Sequence, residues 1–262
     1  MDEKFFIEVN CQQKCHGEAR VCGDVFLSRR IKEEGRTIMV LSDGMGHGIK
    51  ANMLGILTAT LAVNFTQEHK SVEKITEIIM KTLPLDSVKQ MNYSTFTIVE
   101  IDAEGEVSIL EYENPRTLIL RGAHLYEPDW NCVVLDRDKY EGKEVLTTAF
   151  RPHKEDRIVF CSDGVTQSGL GSERLPMGWG LENLKKFVEE SVREEHDISA
   201  VKLSTKVINK ANQNDSFHPI DDISCGVIYF RDPRRLMIFS GPPQDPANDS
   251  MFTGLLRQFD GK

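Results

Sequence analysis

Four short acidic motifs lie in order along the chain: Cys22-Gly23-Asp24, Ser42-Asp43-Gly44-Met45-Gly46-His47-Gly48, Cys161-Ser162-Asp163-Gly164 and Asp221-Asp222-Ile223-Ser224. Each closes an apolar run or opens one. A carboxylate at a strand end is costly to bury unpaired, so it takes either water or a cation. Asp residues brought together from distant strands bind hard divalent metals through oxygen. The glycines of the second motif let backbone approach a ligand closely and supply carbonyls as ligands. The helix predicted after it offers N-terminal amides to an anion. Taken singly, an Asp-Gly at a strand end is a common turn, and adjacent Asp pairs are usually solvated. Four such sites abutting strands in one chain are hard to ascribe to accident.

The elements that must position these residues follow from periodicity. Residues 5–11, 19–27 and 36–41 read as strands, the last through the apolar run Ile38-Met39-Val40-Leu41. The period then changes. Met53, Leu54, Leu57 and Leu61 recur at helical spacing, predicting a helix over residues 49–68. Ser71 is an N-cap for a second helix carrying Val72, Ile75, Ile78 and Ile79, ended by Pro84. Strands return at 94–101 and 106–112 around the hairpin signal Asp102-Ala103-Glu104-Gly105. Further short strands are predicted at 116–121, 132–135, 145–150 and 157–161. Leu181, Leu184, Val188 and Val192 mark a helix; Asp197 is placed to cap the next, which carries Val201, Val207 and Ile208. Residues 223–230 form a late strand. Strands, helix pair, strands, helix pair, strand is an α+β order with mostly antiparallel pairing. The tail breaks the pattern at Arg231-Asp232-Pro233. Residues 235–240 form a short apolar run and residues 250–259 a candidate helix. The division is therefore a main domain over 1–230 and an extension over 231–262, read equally as a packed arm or as the opening of a further domain.

Composition narrows the classes. The chain has 262 residues and a formal charge of −9, with no basic block, which argues against a nucleic-acid partner. No apolar run reaches the roughly 18 residues of a membrane span. The start Met1-Asp2-Glu3-Lys4 lacks the features of a signal peptide, so the expectation is a cytoplasmic protein. Six cysteines are present: Cys11, Cys15, Cys22, Cys132, Cys161 and Cys225. Cys11, Cys15, His16 and Cys22 do not have the spacing of tight zinc pairs, and the thiols are read as reduced.

In this order the motifs resemble the metal-dependent serine/threonine protein phosphatases (type 2C, the PPM family), and within them the bacterial stage II sporulation protein E-like branch. The resemblance covers roughly residues 5–230, and its specific part is Asp43-Gly44-Met45-Gly46-His47-Gly48 followed by an apolar helix. It implies a two-sheet sandwich flanked by helix pairs. It implies two divalent ions, Mn²⁺ or Mg²⁺, held by Asp24, Asp43, the Gly44 carbonyl, Asp163, Asp221 and Asp222. A hydroxide bridging the ions would attack phosphorus in line, Asp24 and Asp43 being catalytic through the metals. Many relatives carry His directly after Asp-Gly as proton donor. Here that position is Met45, and His47 two residues later is the candidate. Arg20 lies near, but offset from, the relatives' phosphate-binding Arg.

The implied substrate is a protein bearing phosphoserine or phosphothreonine, in the bacterial branch an anti-sigma-factor antagonist. The implied role of the helix pair after His47 is to gate the metal site or support a homodimer; the plainer reading is that it covers the sheet. Two alternatives stand beside the enzyme: a catalytically silent regulatory module of the same fold, and a two-metal phosphoesterase acting on a small molecule.

Overall fold

The computed structural model describes residues 5–17, 19–46, 48–82, 94–135 and 143–233. Residues 250–259, residues 235–240 and Pro84, for which the sequence predicts elements or an ending, lie outside them, as does His47.

Two antiparallel sheets stack face to face. The first contains β1 (Phe6–Lys14), β6 (Leu118–Arg121), β7 (His124–Tyr126), β10 (Arg157–Cys161) and β11 (Ile223–Arg231), in the order β1-β11-β10-β6-β7. The second contains β2 (Val25–Ile31), β3 (Arg36–Gly44), β4 (Ser94–Ile101), β5 (Val107–Tyr112), β8 (Asn131–Val134) and β9 (Glu144–Phe150), in the order β2-β3-β4-β5-β9-β8. Helices α1 (Ile49–Gln67) and α2 (Val72–Thr82) pack on the outer face of the second sheet. Helices α4 (Leu181–Glu194) and α5 (Ala200–Asn214) pack on the outer face of the first. A short helix, α3 (Asp163–Gln167), follows β10 directly.

Helices on both outer faces explain the continuous apolar strands. Successive side chains of a strand point to opposite faces. In β3, Met39 and Leu41 enter the core between the sheets, while Ile38 and Val40 meet the helices. In β10, Ile158 and Phe160 face inward, and Val159 and Cys161 face α4 and α5. A strand buried on both sides reads as an unbroken hydrophobic run. Paired strands place acids at one end of each sheet. Val25 at the start of β2 opposes Ser42 near the end of β3, and Cys161 at the end of β10 opposes Cys225 near the start of β11.

Three local expectations are corrected. The strand predicted over 19–27 begins only at Val25, because the described residues between Lys14 and Val25 lie outside any strand, tied down by side chains and a disulfide. The buried face of α1 is built from Ala51, Gly55, Ala59, Ala62 and Val63 rather than from the large residues, and Met53 is 65% exposed. Small residues are required because the helix lies nearly on the neighbouring backbone: a Cβ on Gly55 would sit 2.6 Å from the Gly23 carbonyl oxygen. Leu54, Leu57 and Leu61 pack at the margin of that core, partly buried. Finally, α5 is capped by Ser199, whose hydroxyl accepts the Lys202 amide at 3.1 Å, and not by Asp197. Both residue types cap helices; Ser199 is the one immediately before the first helical residue.

Candidate metal centre

The four motifs meet at one end of the sandwich. Asp24 immediately precedes β2, Asp43 lies near the end of β3, Asp163 opens α3 after β10, and Asp221 precedes β11 by two residues. The two sheets are joined there by Ser162, whose hydroxyl donates to Asp24 Oδ2 at 2.7 Å. That serine also accepts the Ser224 amide at 3.1 Å, tying the third motif to the fourth. Gln13 of β1 completes the seam, donating to the Ser224 hydroxyl at 2.9 Å and to the Asp24 carbonyl at 3.3 Å.

Glycines let the motifs close up. A Cβ on Gly44 would stand 2.0 Å from the carbonyl oxygen of Ala51 in α1. A Cβ on Gly164 would stand 2.2 Å from the carbonyl oxygen of Asp222. Real Cβ atoms do not approach so closely, so the glycine after each of Asp43 and Asp163 is a packing requirement and not only a turn preference.

The electrostatics are those of like charges held together. Burial is the largest cause pushing the Asp43 carboxyl up to about 10; next come the charges of Asp24 and Asp163, a hydrogen bond with Asp163, and the charge of Asp221. Burial likewise raises Asp24 to about 7, against the Ser224 and Ser162 hydroxyls and with the charges of Asp222 and Asp221. Asp221 is raised by burial first, and by Asp163 and Asp222, while the Asp222 amide opposes the shift. Desolvation and neighbouring carboxylates both disfavour the ionised form. A cation placed among these groups would remove both penalties.

The oxygens themselves fit a hard cation. Asp24 Oδ1 and Asp163 Oδ1 are buried and accept no hydrogen bond. Native proteins rarely leave such atoms unsatisfied without an ion or a water nearby. The other Asp163 oxygen accepts from Gln167 Nε2 at 2.8 Å, which fixes the carboxylate's orientation. An all-oxygen donor set suits Mg²⁺ or Mn²⁺.

Asp222 is placed differently from the rest. It is buried, and both its oxygens are occupied: Oδ1 accepts the His16 amide at 2.7 Å and Oδ2 the Gly23 amide at 2.6 Å. Its own amide donates to Asp221 Oδ1 at 2.8 Å. Sequence reading counts Asp222 among the metal ligands; in the structure both its oxygens are taken by amides, and it is the peg on which the loop before Asp24 hangs. Gln13, Ser162 and Gln167 were not singled out from the sequence. Ser162 at least sits inside a quoted motif, whereas the glutamines carry no signal until the strands pair. Arg20 is exposed on the loop before Asp24.

One further finding corrects the sequence reading: Cys15 and Cys22 form a disulfide, their Cα atoms 4.7 Å apart. β1 runs on to Lys14 and β2 starts at Val25, so the loop between them brings two cysteines without zinc-pair spacing together.

The architecture and the carboxylate cluster define a fold seen in PP2C phosphatase domains. The PP2C phosphatase domain with a fragment of the regulatory domain of SpoIIE from Bacillus subtilis superposes with a TM-score of 0.68 at 16% identity, over 87% of this chain and 64% of that one. The RsbU and RsbW domains of Rv1364c from Mycobacterium tuberculosis match with a TM-score of 0.67 at 15% identity, over 97% and 68%. RsbX in complex with magnesium matches with a TM-score of 0.57 at 16% identity, over 86% and 95%. No curated protein sequence matches. The family profile described as Stage II sporulation protein E (SpoIIE) matches residues 33–231, and the chain belongs to that family. Among the described residues no helix is long and apolar enough to cross a membrane.

Proposed function

We propose that this protein is a metal-dependent phosphatase that hydrolyses phosphoserine or phosphothreonine in a bacterial signalling protein. The observation that carries the reading is the convergence of Asp24, Asp43, Asp163 and Asp221, with one buried oxygen on each of Asp24 and Asp163 that accepts no hydrogen bond. Membership of the SpoIIE family and the fold shared with magnesium-bound RsbX support it.

Asp43 and Asp163 approach within hydrogen-bonding reach and are the pair best placed to share a cation, with Asp24 and Asp221 completing the set. Divalent ions bound there would lower the pKa of water and neutralise charge on a phosphoryl group. The protein's own contribution is positioning. Gln167 aims Asp163, the Ser162 hydroxyl aims Asp24, and the Asp222 amide aims Asp221. Asp222 itself is assigned the role of anchor. The substrate class is a phosphorylated protein, such as the anti-sigma-factor antagonist that the family resemblance implies. The proton donor is assigned to His47.

The test is hydrolysis of a phosphoserine peptide and of an aryl phosphate with Mn²⁺, with Mg²⁺ and with chelator. Metal-dependent release of phosphate from both substrates is expected. Binding of Mn²⁺ without turnover of either substrate would instead favour a silent regulatory module. Turnover of the aryl phosphate alone would favour a small-molecule phosphoesterase.

A further inference from the structure

The Cys15–Cys22 disulfide lies against the peg of the site. Each cysteine is followed at once by an amide that grips Asp222: His16 N after Cys15 and Gly23 N after Cys22. The sulfur atoms lie within 4.8 Å of an Asp222 carboxylate oxygen. The bond thus holds together the donors that saturate one buried carboxylate. What it holds is connected directly to the candidate metal centre. Asp24 is the residue after Gly23, and Asp221 accepts the Asp222 amide at 2.8 Å. The Cys22 carbonyl accepts from Asn52 of α1 at 2.7 Å, and the Gly17 amide reaches the Pro219 carbonyl at 3.0 Å. These links fasten the loop to the helix after the second motif and to the approach of the fourth.

The other cysteines differ. Cys161 and Cys225 are buried, and burial pushes both thiols up. Burial takes Cys11 up to about 12. Since the thiolate is the species that exchanges, these are poor reactants. Cys132 is exposed and free. Cys15 and Cys22 are half-buried, and each has a partner at bonding distance.

We propose that Cys15 and Cys22 form a reversible dithiol–disulfide site whose redox state sets how firmly the Asp24–Asp221–Asp222 corner is held, and thereby its affinity for a divalent cation. The second half rests on the metal-centre reading above; the first does not. In the oxidising direction two thiols give up two electrons and two protons to a small-molecule disulfide such as oxidised glutathione. One sulfur–sulfur bond forms in the protein, one breaks in the reagent, and two reagent thiols leave. A dithiol runs the reaction backwards. The disulfide pre-places both amides on Asp222. Reduction leaves the hydrogen bonds intact but returns freedom to the loop, so Asp222 positions Asp24 and Asp221 less firmly.

The experiment compares three forms of the protein: treated with oxidised glutathione, treated with dithiothreitol, and carrying Cys15→Ser with Cys22→Ser. Alkylation with mass mapping should find Cys15 and Cys22 protected in the first form and labelled in the second, reversibly. Calorimetric titration with Mn²⁺ should show affinity weaker by about tenfold in the reduced form and in the double variant, the size of effect typical of groups behind metal ligands. The double variant should ignore dithiothreitol. Free alkylation of both cysteines after oxidised glutathione would overturn the site. Equal Mn²⁺ affinity in all three forms would overturn its coupling to the centre. Stoichiometric Zn²⁺ retained by the reduced protein, and lost in the double variant, would reassign the pair to a Cys–Cys–Asp metal site. Absence of Mn²⁺ binding in every form would sink the metal-centre reading together with the coupling, while the labelling arm would still decide the exchange chemistry.

Discussion

Asp222 and Asp43 stand in the same acidic corner and are treated in opposite ways by the fold. Asp222 is buried with both oxygens saturated by backbone amides. Asp43 has acidic neighbours instead: Asp24, Asp163 and Asp221 all act on it, and its carboxyl is pushed up to about 10. One region is complete as folded. The other is assembled at a cost that a proton or a cation would offset. The contrast separates an acid saturated by the fold from acids crowded against one another more sharply than sequence position can, since Asp221 and Asp222 are adjacent.

The largest expected effect breaks the proposed ligand-binding side. Asp43→Asn and Asp163→Asn should abolish Mn²⁺ binding and lower phosphate release by orders of magnitude, measured by calorimetry and a phosphate assay. The metal-free variants should melt no lower than wild type, because an acid in a crowded, desolvated cluster has been replaced by a neutral amide. The same change on the other side should do the opposite. Asp222→Asn presents an NH₂ to one of the two amides that Asp222 now accepts, and should cost about 2–3 kcal/mol in denaturant unfolding. If Asp43→Asn destabilised as much as Asp222→Asn, the distinction would fail.

Gly44→Ala probes the junction between the two regions. Its new methyl would meet the Ala51 carbonyl oxygen at 2.0 Å, so α1 must shift, at a cost of about 1–3 kcal/mol and with weakened Mn²⁺ binding.

Proton linkage sharpens the contrast further. Asp24 and Asp43 have folded values of about 7 and about 10, above the ordinary range for aspartate near 4. Folding therefore favours their protonated forms. The associated stability is fully present below about pH 4 and is lost as pH rises through each folded value. In chelator, the melting temperature should fall between about pH 5 and pH 9, and saturating Mn²⁺ should flatten the fall. The smallest effect lies outside both regions. Ser199→Ala removes the cap of α5 and should cost about 1 kcal/mol with activity unchanged.

Much of this was legible in the chain. Strands 94–101 and 157–161 are bounded in the structure as their apolar patterns predict. The α+β order and the antiparallel pairing followed from the switch between strand and helix periods. Asp24, Asp43, Asp163 and Asp221 were recognisable because each interrupts an apolar run at an element's end. What escaped has physical reasons. The buried face of α1 is set by how near its backbone comes to Gly23, which hydrophobicity does not encode. Asp222 differs from Asp221 only through amides contributed by residues roughly two hundred positions earlier, as the separations of 206 and 199 record. The Cys15–Cys22 pairing depends on where β1 ends and β2 starts, and residues 19–24 read falsely as strand because Val21 and Cys22 are apolar.

The most direct test is an anomalous-difference map from crystals soaked in Mn²⁺. Density bonded to carboxylate oxygens of Asp43 and Asp163, with Asp24 or Asp221 alongside and Asp222 still gripped by the His16 and Gly23 amides, is the predicted result. A map with no peak among those four side chains, or with the ion seated on Asp222 in place of its amides, would contradict it.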